Sequence, residues 1–387
     1  MTDLSAEPIM TEAATKQTGS QQLLCPFDLQ VWTLDRMLNF EITDDPDYEG
    51  LELQVFDDPA HGRGMAVLLR RRSDGHLDIY RQPGLTLDPE MAQVGGALGE
   101  WRETAIDPAR FDISPDGVDV DVRLTDMAGR VIKVRIDDRD GRRRHRGTLL
   151  APVGAVVEDP ASLALFVMGG CDLVRRSGPV CDLRIDGRPL ATGRLPGGWL
   201  HRRRLIKYTA DPMVVICNQA HDGPPATIDP RAPGEVELAP RSGGIGALRA
   251  RSGGHRARLE LAPALPDVVR LRPRMTVEGT WRLGIDDNPA VVGGFWTVYR
   301  RQDRVELVLD VVQGWRPAGL PLLMNAVTRV APVFRSWPAT YRWSGTITFG
   351  DQPTLSSHWE RKGDQRDESY RRLTTHPGAG PRTVSPS

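Results

Sequence analysis

The chain has 387 residues, 40% of them hydrophobic, and its 50 basic side chains stand against 51 acidic ones. At roughly 150 residues per domain the length suggests two or three domains, and the composition suits a globular protein rather than a disordered or fibrous one. The near-zero net charge excludes a chain-wide basic field for nucleic acid, and no run of about 18 apolar residues is present to cross a bilayer as a helix.

Residues 1–22 are rich in Ser, Thr, Ala and Gln with no apolar block. They read as a disordered arm, neither a secretory signal nor an Arg-rich transit peptide, and a cytoplasmic location is expected. The four cysteines, Cys25, Cys171, Cys181 and Cys217, are then expected to be reduced. Cys171 and Cys181 lie on neighbouring apolar segments that a hairpin could bring close, but no CxxC spacing points to zinc.

Periodicity of two dominates the chain. Leu51, Leu53 and Val55, then Leu77 and Ile79, alternate with polar residues, as a strand with one wet face requires. Gly95, Gly96 and Gly99 weaken a helix over 89–102. Val118, Val120, Val122 and Leu124 alternate with Asp119, Asp121 and Arg123, and Ile132, Val134 and Ile136 alternate with Lys133, Arg135 and Asp137. A turn through Gly129 makes these two runs an antiparallel hairpin. Asp137 to Asp140 precede the run Arg142, Arg143, Arg144, His145 and Arg146, which reads as a solvated loop neutralised by those carboxylates.

Gly169-Gly170 and Gly293-Gly294 read as bends. Cys181, Leu183 and Ile185 form another strand. A second basic run, His201, Arg202, Arg203, Arg204 and Lys207, lies between the turn Pro196-Gly197-Gly198 and the apolar segment Met213 to Cys217, so a strand could carry some of its arginines inward. His221 with Asp222 follows Asn218 and Gln219. Pro224, Pro225, Pro230 and Pro233 then crowd into residues 221–234, which read as a linker between domains at 23–220 and 235–373. Residues 374–387 read as a second disordered tail.

In the C-terminal half, Ala257, Leu259 and Leu261 continue the alternation. Phe295 to Arg300 and Val305 to Gln313 make a second hairpin around Arg301 to Arg304. Leu320 to Ala331 is the best helix, with Pro321 in its first turn, Leu320, Leu323, Met324, Val327 and Val330 at helical spacing, and Pro332 ending it. Its polar face holds only Asn325, Thr328 and Arg329, which favours burial or a lid over an interfacial anchor. Tyr341, Trp343, Ile347 and Phe349 form a last strand in which Gly345 suggests a bulge.

Many short strands and frequent turns argue for an all-β chain: two antiparallel β-barrel or sandwich domains, lipocalin-like, with few short helices. No HxxxH, HExxH, Walker loop or GxSxG is present, so neither a metal nor a cofactor is expected. Asp44-Asp45 and Asp286-Asp287 read as turn carboxylates rather than an acid/base dyad. Six of the nine tryptophans, Trp281, Trp296, Trp315, Trp337, Trp343 and Trp359, fall in the last third, as core packing or as the lining of an apolar cavity.

The segment Cys181 to Arg194, reading CDLRIDGRPLATGR, resembles the strand-turn-strand of the AttH and carotenoid 1,2-hydratase (hydroxyneurosporene synthase) type of two-domain lipocalin-like proteins. That resemblance implies binding of bulky hydrophobic molecules of lipid, terpenoid or polyketide type, and cofactor-independent hydration or cyclisation in some members. Where the family carries Asp-His followed by Trp-Gly, this chain reads GGWLHRRRLIKY, so no catalytic residue is carried over. The ligand-binding candidates are Trp199, His201, Arg203, His221 and Trp296, and the expected partner is a hydrophobic small molecule rather than nucleic acid. The alternative is a non-catalytic β scaffold for a protein or lipid surface, using the Trp-rich half and the Leu320 helix.

Overall fold

The computed structural model describes residues 23–89, 98–152, 158–194, 202–228, 235–315, 322–330 and 337–362. The arm at 1–22, the tail at 374–387, Trp199, His201 and the Pro196-Gly197-Gly198 turn lie outside these residues. What is described is almost entirely strand, with one helix at Leu322–Val330. Curled sheets form a half-barrel and sandwich-like layers.

A ten-stranded sheet dominates the N-terminal half. Its path begins with Leu29–Thr33, Asp211–Cys217, Leu163–Arg175 and Arg203–Thr209. It continues through Arg36–Glu41, Tyr48–Asp58, Gly62–Arg71, Leu77–Arg81 and Leu98–Glu103, while Gly147–Pro152 pairs with Leu163–Arg175 off this path. Leu98–Glu103 is therefore extended, where the sequence weakly suggested the end of a helix, and it runs parallel to Leu77–Arg81. Gly169-Gly170 does bend the chain: up to Gly169 the strand pairs with Asp211–Cys217, and from Asp172 onward with Arg203–Thr209. Gly170 has φ of 61°, a value glycine adopts without penalty.

The expected hairpin of Gly117–Thr125 and Val131–Asp137 lies at the heart of a five-stranded sheet with Ala109–Ser114, Val180–Ile185 and Arg188–Pro189. Its apolar face, Val118, Val120, Val122, Ile132, Val134 and Ile136, is fully buried against Leu38, Phe40, Leu51, Leu53, Val67 and Tyr80 of the large sheet. Cys171 and Cys181 consequently sit in different sheets, and all four cysteines are free thiols.

The C-terminal half is a nine-stranded antiparallel sheet that starts at Val236–Leu238, passes through Thr354–Arg361 and ends with His221–Gly223 as its ninth strand at the far edge. Asn288–Arg300 and Arg304–Gln313 form the expected second hairpin, with a bulge at Gly293/Gly294. A Cβ on Gly294 would sit 1.7 Å from the Asp310 carbonyl oxygen, so only glycine fits. Gly345 differs from expectation. Pairing is continuous on both sides of it, and the missing side chain instead makes room for the Trp343 ring, which a Cβ would meet at 2.5 Å.

Trp281, Trp296, Trp343 and Trp359 are all buried in the core of this half. That core is continuous with Leu29, Val31, Leu165, Met213 and Val215 from the N-terminal half, so one apolar cluster joins the halves. Within 221–234, Ala226–Ile228 pairs back with Leu23–Cys25, and 229–234 lie outside the described residues. In the helix, Thr328 is buried with its hydroxyl donating to the Asn325 carbonyl at 3.1 Å, while Val330 is exposed. The expected inward and outward faces are thus partly exchanged at its C-terminal turn, because the returned hydrogen bond removes the cost of burying the threonine.

Candidate functional site

The face of the ten-stranded sheet opposite the small sheet carries the most distinctive chemistry. Registered pairing places Leu173, Lys207, Asn39, Glu52, Leu68, Ile79 and Trp101 directly opposite one another on seven consecutive strands. Residues so aligned share one face of the pleat. A parallel row runs through Met37, Gln54, Ala66 and Arg81.

One apolar groove is lined by Phe56, Ala66, Leu68, Ile79 and Trp101 from one end of the sheet and by Trp32, Leu34 and Val214 from the other. Strands far apart in sheet order can line one groove only if the sheet curls around it, so the two rows form the inner wall of the half-barrel. The groove holds about 550 Å³ of empty space when its open side is included, so it is an open trough rather than a closed cavity. Gln54 lines it as well and leads from the apolar part to the polar centre.

There Glu52 is half-buried. Gln54 Nε2 donates to its Oε1 at 2.6 Å and Asn39 Nδ2 to its Oε2 at 3.4 Å. Burial pushes the Glu52 carboxyl above its ordinary pKa, and the two hydrogen bonds and the Lys207 charge recover only part of the shift. Asn39 Oδ1 is buried without a hydrogen-bond partner among the described residues. Lys207 is half-buried in the same row. The neighbouring Cys171 thiol is pushed up to about 12 by burial, against the lowering effect of Lys207, which keeps it an unreactive thiol. Chemically, the site offers an apolar trough ending in a carboxyl biased toward its neutral form and an ammonium.

The residues nominated from sequence fall elsewhere. Arg203 Nη1 donates to the Leu173 carbonyl at 2.9 Å, and its Nη2 lies 3.5 Å from Asp172 Oδ1. Asp172 also accepts the Tyr208 hydroxyl at 3.2 Å and lies 3.7 Å from Arg144 Nη1. Arg144 in turn pairs at 3.2 Å with Asp138, which is fully buried and also holds Arg175 at 2.8 Å. The two basic runs therefore meet at Asp172. The Arg144 side chain is buried rather than solvated, correcting the loop expectation for that residue: the Asp116 carbonyl holds its Nε, and the Asp138 carbonyl and carboxylate hold its Nη2.

His221 is exposed at a sheet edge, its backbone N–H donating to Ser357 Oγ and its ring Nε2 to the Pro224 carbonyl at 3.0 Å. Trp296 is 1% exposed in the C-terminal core, packed where a Cβ on Gly279 would lie 2.5 Å from its ring. No described contact links Arg203, His221 and Trp296. Trp199 and His201 lie outside the described residues.

Sequence reasoning passed over Asn39, Glu52 and Gln54, because a polar residue alternating with apolar ones reads as solvent-facing, and named Lys207 only as a member of the second basic run. Trp32 and Trp101, large rings on half-buried strands, were the available hint. Among the described residues no cluster of three or more His, Cys, Asp or Glu side chains could hold a metal ion, and no helix is long and apolar enough to cross a membrane. The chain matches none of the family models, curated proteins or solved structures with which it was compared.

Proposed function

We propose that this protein binds a hydrophobic small molecule, of lipid, terpenoid or polyketide type, along the inner wall of the half-barrel. The observation that carries the reading is the continuity of the apolar groove, through Gln54, with the Glu52 carboxyl. A ligand laid in the groove would bury apolar area against Trp32, Trp101, Phe56 and Leu68, at roughly 25 cal/mol per Å², and would present a functional group to the polar centre. A carboxyl kept above its ordinary pKa beside an apolar trough suits protonation of a carbon–carbon double bond without a cofactor, the step that opens hydration or cyclisation. The resemblance of Cys181 to Arg194 to the carotenoid hydratase type points in the same direction.

The test is titration of the purified chain with the neutral dye N-phenyl-1-naphthylamine, together with native mass spectrometry of protein isolated from its own host. Saturable dye fluorescence and a retained small molecule support the reading. Absence of both overturns it and leaves the scaffold role, which draws on the exposed Leu322 and Val330 of the helix.

A further inference from the structure

We infer that the ligand of the half-barrel is a monoanionic amphiphile, a carboxylate head on an apolar chain, whose head is seated at Lys207 and Asn39. This inference rests on the groove reading above and goes further in naming the head group.

Lys207 lies on the inner wall, half-buried, in register with Asn39 on one side and Leu173 on the other. Among the described residues no hydrogen bond or ion pair holds its ammonium. The nearest acid in the row, Glu52, is engaged on both oxygens by Gln54 and Asn39. Burial also biases that carboxyl toward the neutral form. A half-buried ammonium with no hydrogen-bonded counter-ion, next to an acid whose two oxygens are engaged elsewhere and whose burial resists ionisation, is poorly compensated, and an unpaired charge in such a setting is costly. An incoming anion removes that cost.

Asn39 supports the same polarity of ligand. Its Oδ1 is buried and unpartnered, while Nδ2 is aimed at a Glu52 oxygen. Amide oxygen and nitrogen exchange by a simple flip. With Glu52 protonated, the flipped amide accepts the Glu52 O–H on its oxygen and frees two N–H donors. Every polar atom of the cluster is then satisfied if an acceptor occupies the space beside Lys207. The ammonium and the amide N–H together form a two-donor seat, which fits the two oxygens of one carboxylate.

The apolar part of the ligand has a defined path. Leu68, the nearest groove residue in the row, is three strands from Lys207, about 14 Å at 4.8 Å per strand. That is the reach of a medium-length acyl chain. Two further cations on this face are engaged: Arg81 by the Leu85 carbonyl at 2.6 Å and by Glu103 at 3.1 Å, and Arg70 by Glu49 at 2.7 Å. One unpaired ammonium favours a single negative charge over a phosphate dianion.

The experiment is displacement of N-phenyl-1-naphthylamine from the full chain at neutral pH by dodecanoate, dodecanol and dodecylamine. Dodecanoate is expected to displace the dye about tenfold better than dodecanol, the scale of one charge-assisted hydrogen bond, with dodecylamine the weakest. Lys207→Met retains the apolar stem and should abolish the preference for dodecanoate over dodecanol, with a wild-type circular dichroism spectrum and melting temperature showing that the variant is folded. Equal displacement by dodecanoate and dodecanol, or a preference that survives Lys207→Met, overturns the head-group assignment and leaves the groove reading standing. Failure of the dye and of dodecanoate, the latter followed by calorimetry, to bind at all overturns both.

Discussion

Asp211 Oδ1 accepts a hydrogen bond from Nε2 of His255 at 2.8 Å, joining a strand start in the N-terminal half to a hairpin tip in the C-terminal half. The other ring nitrogen, Nδ1, lies 2.9 Å from Asp286 Oδ2. The imidazole is only 16% exposed, and beside it Gly253 packs on Thr33, whose hydroxyl is 3.2 Å from Ser252 Oγ. With a carboxylate on each nitrogen, both positions act as donors and the ring is an imidazolium. Burial pulls its pKa down, but hydrogen bonds and charge from Asp286 and Asp211 outweigh that effect and hold it above the ordinary histidine value.

A histidine whose folded pKa is raised contributes stability that is fully present below its unfolded pKa and is lost as pH rises through the folded value. Arg256 pairs with Asp287 at 3.0 Å on the same hairpin. His255→Gln is expected to lower stability by about 1–2 kcal/mol at pH 6, with the difference from wild type shrinking toward pH 9. Thermal denaturation of both proteins across that range checks it. A constant difference would show that the ring acts through packing alone.

Glu52 has the opposite sign. A carboxyl with a raised folded pKa costs stability once pH passes its unfolded value, because the folded state resists ionisation. Glu52→Gln should therefore match wild type near pH 4 and melt at higher temperature near pH 8. It should also erase any turnover that depends on a proton from this site, without loss of N-phenyl-1-naphthylamine binding. Melting curves at the two pH values are the measurement.

Two tryptophans separate groove from core. Trp101 lines the groove, with Arg81 5.9 Å from its ring, so Trp101→Ala should weaken dye binding about tenfold or more with little change in stability. Trp296 is 1% exposed, and Trp296→Ala should cost about 3–5 kcal/mol while leaving dye affinity unaltered. Paired urea unfolding and dye titration of both variants would expose an exchange of these roles.

Asp138 anchors the arginine network. It receives the backbone N–H of Arg175 at 3.0 Å and the guanidinium groups of Arg144 and Arg175. Its loss strands two cations, one of them buried. Asp138→Ala should cost about 3–5 kcal/mol, read as a drop in the urea midpoint. A change below about 1 kcal/mol would mean that Asp140 and Asp172 take over its partners.

Strand positions were legible where apolar and polar residues alternate, as at Val118 to Leu124 and Val305 to Val311, because period two reports the pleat directly. The destination of the polar face was not. Glu52 between Leu51 and Leu53, and Asn39 between Leu38 and Phe40, carry the same local signal as Arg123 and Arg135, which are exposed, and as Asp119, which is buried against Arg110 and Arg139. Whether such a face meets water or another wall depends on the curl of the sheet, a property of strands distant in sequence. The His255 bridge was hidden for the same reason, since Asp211 and Asp286 lie far from it along the chain. Turn chemistry fared better: Asp45 serves its turn by accepting the backbone N–H groups of Asp47 and Tyr48.

The pairing of Leu23–Cys25 with Ala226–Ile228 has a consequence for how the chain can be divided. The strand Leu23–Cys25 waits for a partner made only after the whole N-terminal half has been synthesised. Asp28 likewise accepts the backbone N–H of Gln219 at 2.9 Å. Cutting after residue 220 would strip away the strand that covers Leu23 and Leu24 and would bare the apolar surface shared with the second half. The two halves are stitched together by this pairing and by a shared apolar cluster rather than strung in series.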